Sequence, residues 1–147
     1  MPVRKNRFVA VPLALAALTA CATQAVSGPK GWQPKPGASA QWTNGAQAYS
    51  LEQHPYQGSL QDYASTIAIN TALHNRGAKW QGSDIFQPCP GRAAIATFAL
   101  PSGDTMLVAF AVQNGQSITV TYVRPKGSAS DPAVADAMNQ ALCQSVM

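Results

Sequence analysis

The chain opens with a basic and apolar segment that limits how much of it is left to fold. Arg4, Lys5 and Arg7 precede an apolar run over residues 8–18 that is rich in alanine, leucine and valine. The run is shorter than the ~20 residues that a membrane-spanning helix needs, and its layout is typical of an export signal. Removing the first 20 of the 147 residues leaves 127. That length predicts a single domain with its own hydrophobic core.

Residues 18–21 read Leu-Thr-Ala-Cys, which resembles the lipobox of bacterial lipoproteins. The resemblance implies cleavage before Cys21 and lipidation of Cys21 as the new N-terminus, which anchors the protein to a membrane. Because Ala22 and Thr23 replace the aspartate that retains some lipoproteins at the inner membrane, it also implies the periplasmic face of the outer membrane. The alternative is an ordinary secretory signal cut near residues 20–22, which would leave a soluble periplasmic or secreted protein.

The mature chain is almost neutral, which excludes some classes of partner. The whole sequence has 10 Lys and Arg against 6 Asp and Glu, but three of the bases lie in the signal. The remaining bases are scattered rather than clustered. We therefore expect no nucleic-acid partner and no polybasic membrane patch.

Cysteine usage predicts one disulfide. Once Cys21 is assigned to lipid, Cys89 and Cys143 form an even pair in an oxidising compartment. The alternative is two buried thiols. Two cysteines this far apart are a poor metal site without a nearby histidine, and we expect no cofactor.

The segment over residues 21–40 is rich in proline and glycine and predicts a flexible tether. Within it, Trp32 is interpreted as an incidental residue, with a docking residue as the alternative. Two short strands are expected over residues 41–43 and 46–51, joined by a turn at Asn44-Gly45.

The clearest helix is predicted over residues 60–76, with Ser59 as N-cap and Gly77 as the stop. Its apolar stripe, broadened by Ile69 and Leu73, has to pack on something. Strands are expected over residues 79–86, 92–100, 105–112 and 117–123. A final helix begins after Ser130 or Asp131, and Cys143 lies in its last turn.

The hairpin between the last two strands allows two registers. A two-residue loop at Asn114-Gly115 places Phe110 opposite Thr119, whereas a three-residue bulged loop places it opposite Ile118. The bulged loop gathers the bulky residues on one face, and we predict it for that reason.

These elements predict an α+β fold, in which an antiparallel sheet, formed by a three-strand meander plus weaker N-terminal strands, carries two helices on one face. The order of the elements loosely resembles the PsbP-like fold of exported and lumenal accessory proteins. The resemblance covers about 100 residues without a diagnostic motif, and fold does not carry function.

No residue pattern indicates catalysis. Glu52 and His54 lack a third ligand, His74 suits a helix C-terminus, and Ser59 already caps a helix. We therefore expect a non-catalytic binding or accessory module for another envelope component, most simply an envelope protein. The alternatives are an inhibitor of a secreted hydrolase, a carrier of a small apolar ligand and, less favoured, a small hydrolase. The main candidates for partner contacts are Trp80, Phe86, Arg92 and Arg124, with Trp42 and Tyr56 as further aromatic candidates.

Overall fold

A computed structural model describes residues 27–88 and 92–143 of the chain. Its elements follow the order β1 (Gln33–Pro34), β2 (Gln41–Thr43), β3 (Ala48–Pro55), α1 (Leu60–His74), β4 (Lys79–Phe86), β5 (Ala93–Ala99), β6 (Thr105–Gln113), β7 (Gln116–Arg124) and α2 (Pro132–Cys143). The strands form one sheet in the order β1-β2-β3-β7-β6-β5-β4, with antiparallel neighbours throughout. The predicted α+β class and the meander of β5, β6 and β7 are confirmed. Neither described helix has the length and apolar character needed to cross a membrane.

The two helices cover opposite faces of the sheet, which corrects the prediction that both pack on one face. Tyr63 and Ile67 of α1 pack with Val108 and Phe110, while α2 packs with a separate cluster that includes Val120. Because side chains alternate along a strand, β5 and β6 supply buried residues to both clusters. Both faces of the sheet therefore carry a buried core.

The hairpin between β6 and β7 has the two-residue loop, so the prediction of a bulged loop is wrong. Phe110 lies opposite Thr119, and Gln113 lies opposite Gln116. Asn114 and Gly115 have φ of 50° and 73°, as the favoured two-residue turns require. Collecting the bulky residues on one face favours the bulged register only when the other face is open, and here both faces are covered.

Part of the segment expected to be a flexible tether belongs to the domain. Trp32 is 7% exposed and its Nε1 donates a hydrogen bond to Asp131 at 2.9 Å. Its ring centroid lies 6.2 Å from that of Tyr122. Gln33 and Pro34 then pair with β2 as an edge strand. The domain therefore begins before residue 40, because burial of the tryptophan side chain holds this segment on the sheet despite its prolines and glycines.

The local signals at both helix starts are confirmed. The Oγ of Ser59 accepts from the backbone N–H of Asp62 at 3.1 Å, and an Asp131 carboxylate oxygen accepts from the N–H of Ala133 at 2.9 Å. The broad apolar stripe predicted for α1 is wrong in part, since Ile69 and Leu73 point away from the sheet and are 61% and 70% exposed.

Candidate functional site

An open groove runs between α1 and the outer strands β4 and β5. Its volume is about 470 Å³. Small side chains create it: Ala64 and Ala68 on the helix wall face Ala94 and Ala96 on the sheet floor. Trp80 and Ile85 of β4 form the outer rim together with Ser83. We call this depression the α1 groove.

The α1 side of the protein also carries its exposed apolar side chains. All four large hydrophobic residues that are exposed within residues 27–88 and 92–143 belong to α1 or β4: Ile69, Leu73, Trp80 and Ile85. The register of β4 with β5 places Trp80 and Ile85 on the same face as α1, opposite Phe98 and Ala94. We call these four residues the α1-side surface. A concentration of this kind is typical of interaction sites.

The free edge of β4 is irregular. The pairing of β4 with β5 shifts between Trp80 and Gly82, where Gly82 has φ of 154°. The strand also carries Lys79 and Asp84. Bulges and charges of this kind protect a sheet edge from pairing with another strand.

The structure brings together two of the four predicted contact residues. Trp80 is 64% exposed and lines the α1 groove together with Arg92. Phe86 is partly buried against the cluster of α2 on the other face. Arg124 lies at the end of β7, where its Nη1 donates to the carbonyl of Ser128 at 2.6 Å. Phe86 and Arg124 therefore have structural roles away from the groove.

The other two aromatic candidates also pack within the domain. Trp42 lies 5.8 Å from Tyr49, and Tyr56 lies 5.0 Å from Tyr63, between ring centroids. Neither belongs to the α1-side surface. The hydroxyl groups of Tyr63 and Thr119 form a hydrogen bond of 2.5 Å, which links α1 to β7.

A second, more polar cleft lies on the other flank of α1. It has a volume of about 480 Å³ and lies between the helix and β3. Glu52, His54 and His74 line it, and these are three of the polar residues considered for chemistry in the sequence. The Nε2 of His54 lies 3.6 Å from an oxygen of Glu52, with both side chains about two-thirds exposed. Exposure of this degree leaves the pair weakly coupled.

Ser117, which the sequence did not single out, lies opposite His54 on β7. Its hydroxyl donates to the backbone carbonyl of His54 at 3.3 Å rather than to the imidazole ring. A nucleophilic serine needs its proton to be taken by a base, and this contact does not supply one. No three His, Cys, Asp or Glu side chains gather into a metal-binding group within the described parts of the chain.

Among the described residues, the pKa values of Tyr49 and Asp131 are shifted, and both residues belong to the α2 side. Burial raises the pKa of Tyr49 to about 12. The hydrogen bond from Trp32, followed by that from the backbone of Ala133, lowers the pKa of Asp131. Asp131 therefore caps α2 and holds Trp32 in place as a carboxylate. These shifts stem from packing and capping.

The predicted lipid and disulfide sites fall largely outside the described residues. Cys21 and Cys89 are not among them, while Cys143 is half-buried at the last position of α2. Lipidation and the bridge between Cys89 and Cys143 stay predictions.

No family model matches the chain, and no curated protein matches it. Among solved structures, it is similar to the solution structure of cyanobacterial PsbP (CyanoP) from Synechocystis sp. PCC 6803, with a TM-score of 0.51 and 12% sequence identity. The match covers 77% of this chain and 79% of that chain. At this identity the likeness concerns the fold alone, and the fold agrees with the PsbP-like resemblance expected from the order of elements.

Proposed function

We propose that this chain is a non-catalytic accessory module of the bacterial envelope, held by lipid at Cys21 on the periplasmic face of the outer membrane. It binds another envelope protein through the α1-side surface. The observation that carries the proposal is the concentration of exposed Ile69, Leu73, Trp80 and Ile85 on one side of the domain. A protein partner would remove these side chains from water, a gain of roughly 25 cal/mol per Å² of apolar surface.

The position of Gly28, near the start of the described residues, supports this orientation. Gly28 lies against the ring of Trp42, so closely that a Cβ there would overlap it. Trp42 packs against the hydrophobic cluster that includes Val120 and lies under α2, which we call the α2-side core. The strand β1 is the edge strand farthest from β4. Six strand spacings of ~4.8 Å separate those two edges, a width of about 29 Å. An anchor at the β1 edge leaves the α1-side surface open to the periplasm.

The short linker makes weak binding sufficient. Only six steps along the chain separate Cys21 from Ser27, a reach of at most about 20 Å. A partner in the same membrane then meets the domain at an effective concentration that reaches the millimolar range. The polar cleft supports the non-catalytic part of the proposal, because its only ion pair is exposed and Ser117 bonds a carbonyl.

The test is site-specific photo-crosslinking in living cells. A photoreactive side chain at Ile69 should give a discrete protein adduct, because Ile69 lies on the α1-side surface. The matched control is Ala135, which is exposed on α2 at the opposite face and should give none. Ile69→Ser should weaken capture from a second position, Leu73. Equal adducts from Ile69 and Ala135, or none from either, would refute the proposed surface.

A second comparison separates binding from catalysis. Glu52→Gln together with His54→Asn removes the exposed ion pair of the polar cleft and leaves the α1-side surface intact. We expect this variant to keep the crosslink at Ile69 and the function of the protein in cells. A loss of cellular function with the crosslink retained would indicate chemistry in the polar cleft instead.

A further inference from the structure

The α1 groove and a neighbouring depression together have the length of an acyl chain. It extends from Leu60 at the start of α1 toward Ala68, and a neighbouring depression at Ala72 and Trp80 continues it. Twelve residues of helix separate Leu60 from Ala72, which is about 18 Å at 1.5 Å per residue. One leaflet of a bilayer has a hydrocarbon thickness of ~15 Å, half of the ~30 Å core, and an acyl chain fills it.

A single cation lines the apolar groove at one end. Arg92 directly precedes β5, in which Ala94 lies opposite Phe110 of β6. Phe110 in turn contacts Tyr63 in the first turns of α1, with 5.7 Å between the ring centroids. Arg92 therefore lies at the end where α1 begins. The far end, beside Trp80, is lined by apolar residues and Thr71.

The acidic groups near the groove do not neutralise the positive charge of Arg92 at this end. Asp84 lines the rim, but its register opposite Ile95 directs its side chain toward the other face of the sheet. Asp62 lies in the first turn of α1, where its carboxylate accepts from the hydroxyl of Ser59 at 2.8 Å. A guanidinium at the end of an apolar groove suits one carboxylate, which it binds with two parallel hydrogen bonds.

We propose that the α1 groove binds a free long-chain fatty acid, with its carboxylate at Arg92 and its acyl chain over Ala94 and Ala96 toward Trp80. This inference goes beyond the proposed function, because it assigns a small ligand to the groove, whose rim residues Trp80 and Ile85 also belong to the α1-side surface. Volumes of about 300–1,000 Å³ are usual for ligand sites, and the α1 groove lies within that range at about 470 Å³.

Two other occupants fit less well. The acyl chains on Cys21 would hold the protein in the membrane, and one of them could occupy the groove only by leaving the bilayer and weakening that anchor. An added β-strand would meet the irregular edge of β4 at Trp80 and Gly82. A free fatty acid needs neither that edge nor a weakened anchor.

Calorimetric and fluorescence titration of the mature chain with myristate tests the proposal. The protein is produced with Cys21→Ser behind a cleavable signal, so that no lipid of its own competes. Trp32 is buried and Trp42 partly buried, whereas Trp80 is 64% exposed, so a shift of emission to shorter wavelength reports on the groove. We expect saturable binding of one myristate below its micelle concentration, with the emission shift abolished in Trp80→Phe.

Variants with matched controls locate the site. Arg92→Gln should weaken myristate binding about tenfold, since a hydrogen bond to a charged group contributes about 1.5 kcal/mol or more. Ala68→Leu keeps a good helix former and fills the groove, so it should weaken binding by a similar factor. The controls are Lys126→Gln, an exposed cation outside the groove, and Ala135→Leu on the exposed side of α2. Both should bind as the unmodified protein does.

Charge reversal gives the sharpest outcome. Arg92→Glu should reverse the preference, so that tetradecylammonium binds more tightly than myristate. No saturable binding, equal affinity in Arg92→Gln, or an effect of the control substitutions would overturn the proposal. Tighter binding of myristoyl lysophosphatidylglycerol would overturn the assignment to a free fatty acid. A crosslinked protein at Ile69 without myristate binding would leave the proposed function standing and refute this inference.

Discussion

Tyr49 buries its hydroxyl group inside the α2-side core. The side chain is 1% exposed, and its Oη is buried without a hydrogen-bond partner among the described residues. Leaving such a group unpaired costs about 1–3 kcal/mol. Phenylalanine fills the same space without the hydroxyl. We therefore expect Tyr49→Phe to be at least as stable as the unmodified protein at pH 7, and more stable by up to about 1 kcal/mol.

The same burial predicts sensitivity to alkali. Tyr49 has its pKa raised from 10.0 to about 12 in the folded protein, because the phenolate would lose its hydration. Since the folded pKa is the higher one, stability is intact below pH 10 and falls as the pH rises toward 12. The loss from this residue is about 1 kcal/mol by pH 11 and approaches 3 kcal/mol above pH 12. Tyr49→Phe should lack this loss.

Urea unfolding of both proteins at pH 7, 9 and 11 is the assay. The matched control is Tyr122→Phe, which alters a 2% exposed tyrosine on the same face whose hydroxyl donates to Gln47 at 2.6 Å. Because that hydroxyl is paired, its removal should cost about 1 kcal/mol or more at pH 7. A comparable loss in Tyr49→Phe, or an unchanged decline of its stability between pH 9 and 11, would refute the reasoning.

Four further outcomes are expected. Trp32→Ala should lower the free energy of unfolding by about 3–5 kcal/mol, measured by urea titration, because it empties a buried site in the α2-side core. Gly115→Ala should cost about 1 kcal/mol in the same assay, since φ is 73° there. Metabolic labelling with a fatty acid should mark the unmodified protein and miss Cys21→Ser; equal labelling would contradict lipidation. Mass spectrometry without reduction should find the peptides of Cys89 and Cys143 linked, and free thiols at both would exclude the bridge.

Local signals in the sequence predicted most of the elements. Ser59 and Asp131 lie just before their helices because their side chains accept the first free N–H groups, a requirement that depends on the next few residues only. The strands from Lys79 onward follow from β-branched and apolar runs between turns. The hairpin register could not be derived from such local signals, because it depends on whether the sheet face that carries Thr119 is covered. That face is covered by α1, which lies more than 40 residues earlier in the chain.

The candidate site was harder to predict because it is formed by small side chains that leave space unfilled. Trp80 and Arg92 were candidates as an exposed aromatic and a cation, but the groove between them exists because Ala64, Ala68 and Ala96 are small. Alanine is common in both helices and buried strands, so a sequence pattern does not distinguish a filled site from an open one. Only the placement of α1 over β5 and β6 leaves the floor beside β4 uncovered.

The burial of Trp32 also determines how the domain responds to mechanical force. A pull on the chain before Ser27 reaches Trp32 before it reaches β1, and the contacts of Trp32 with Tyr122 and Asp131 pass the load to the middle of the sheet and to the start of α2. The strand β1 follows Trp32, is only two residues long and pairs with β2 alone. The first contacts that such a pull would load therefore belong to the α2 side, away from α1, β4 and the groove.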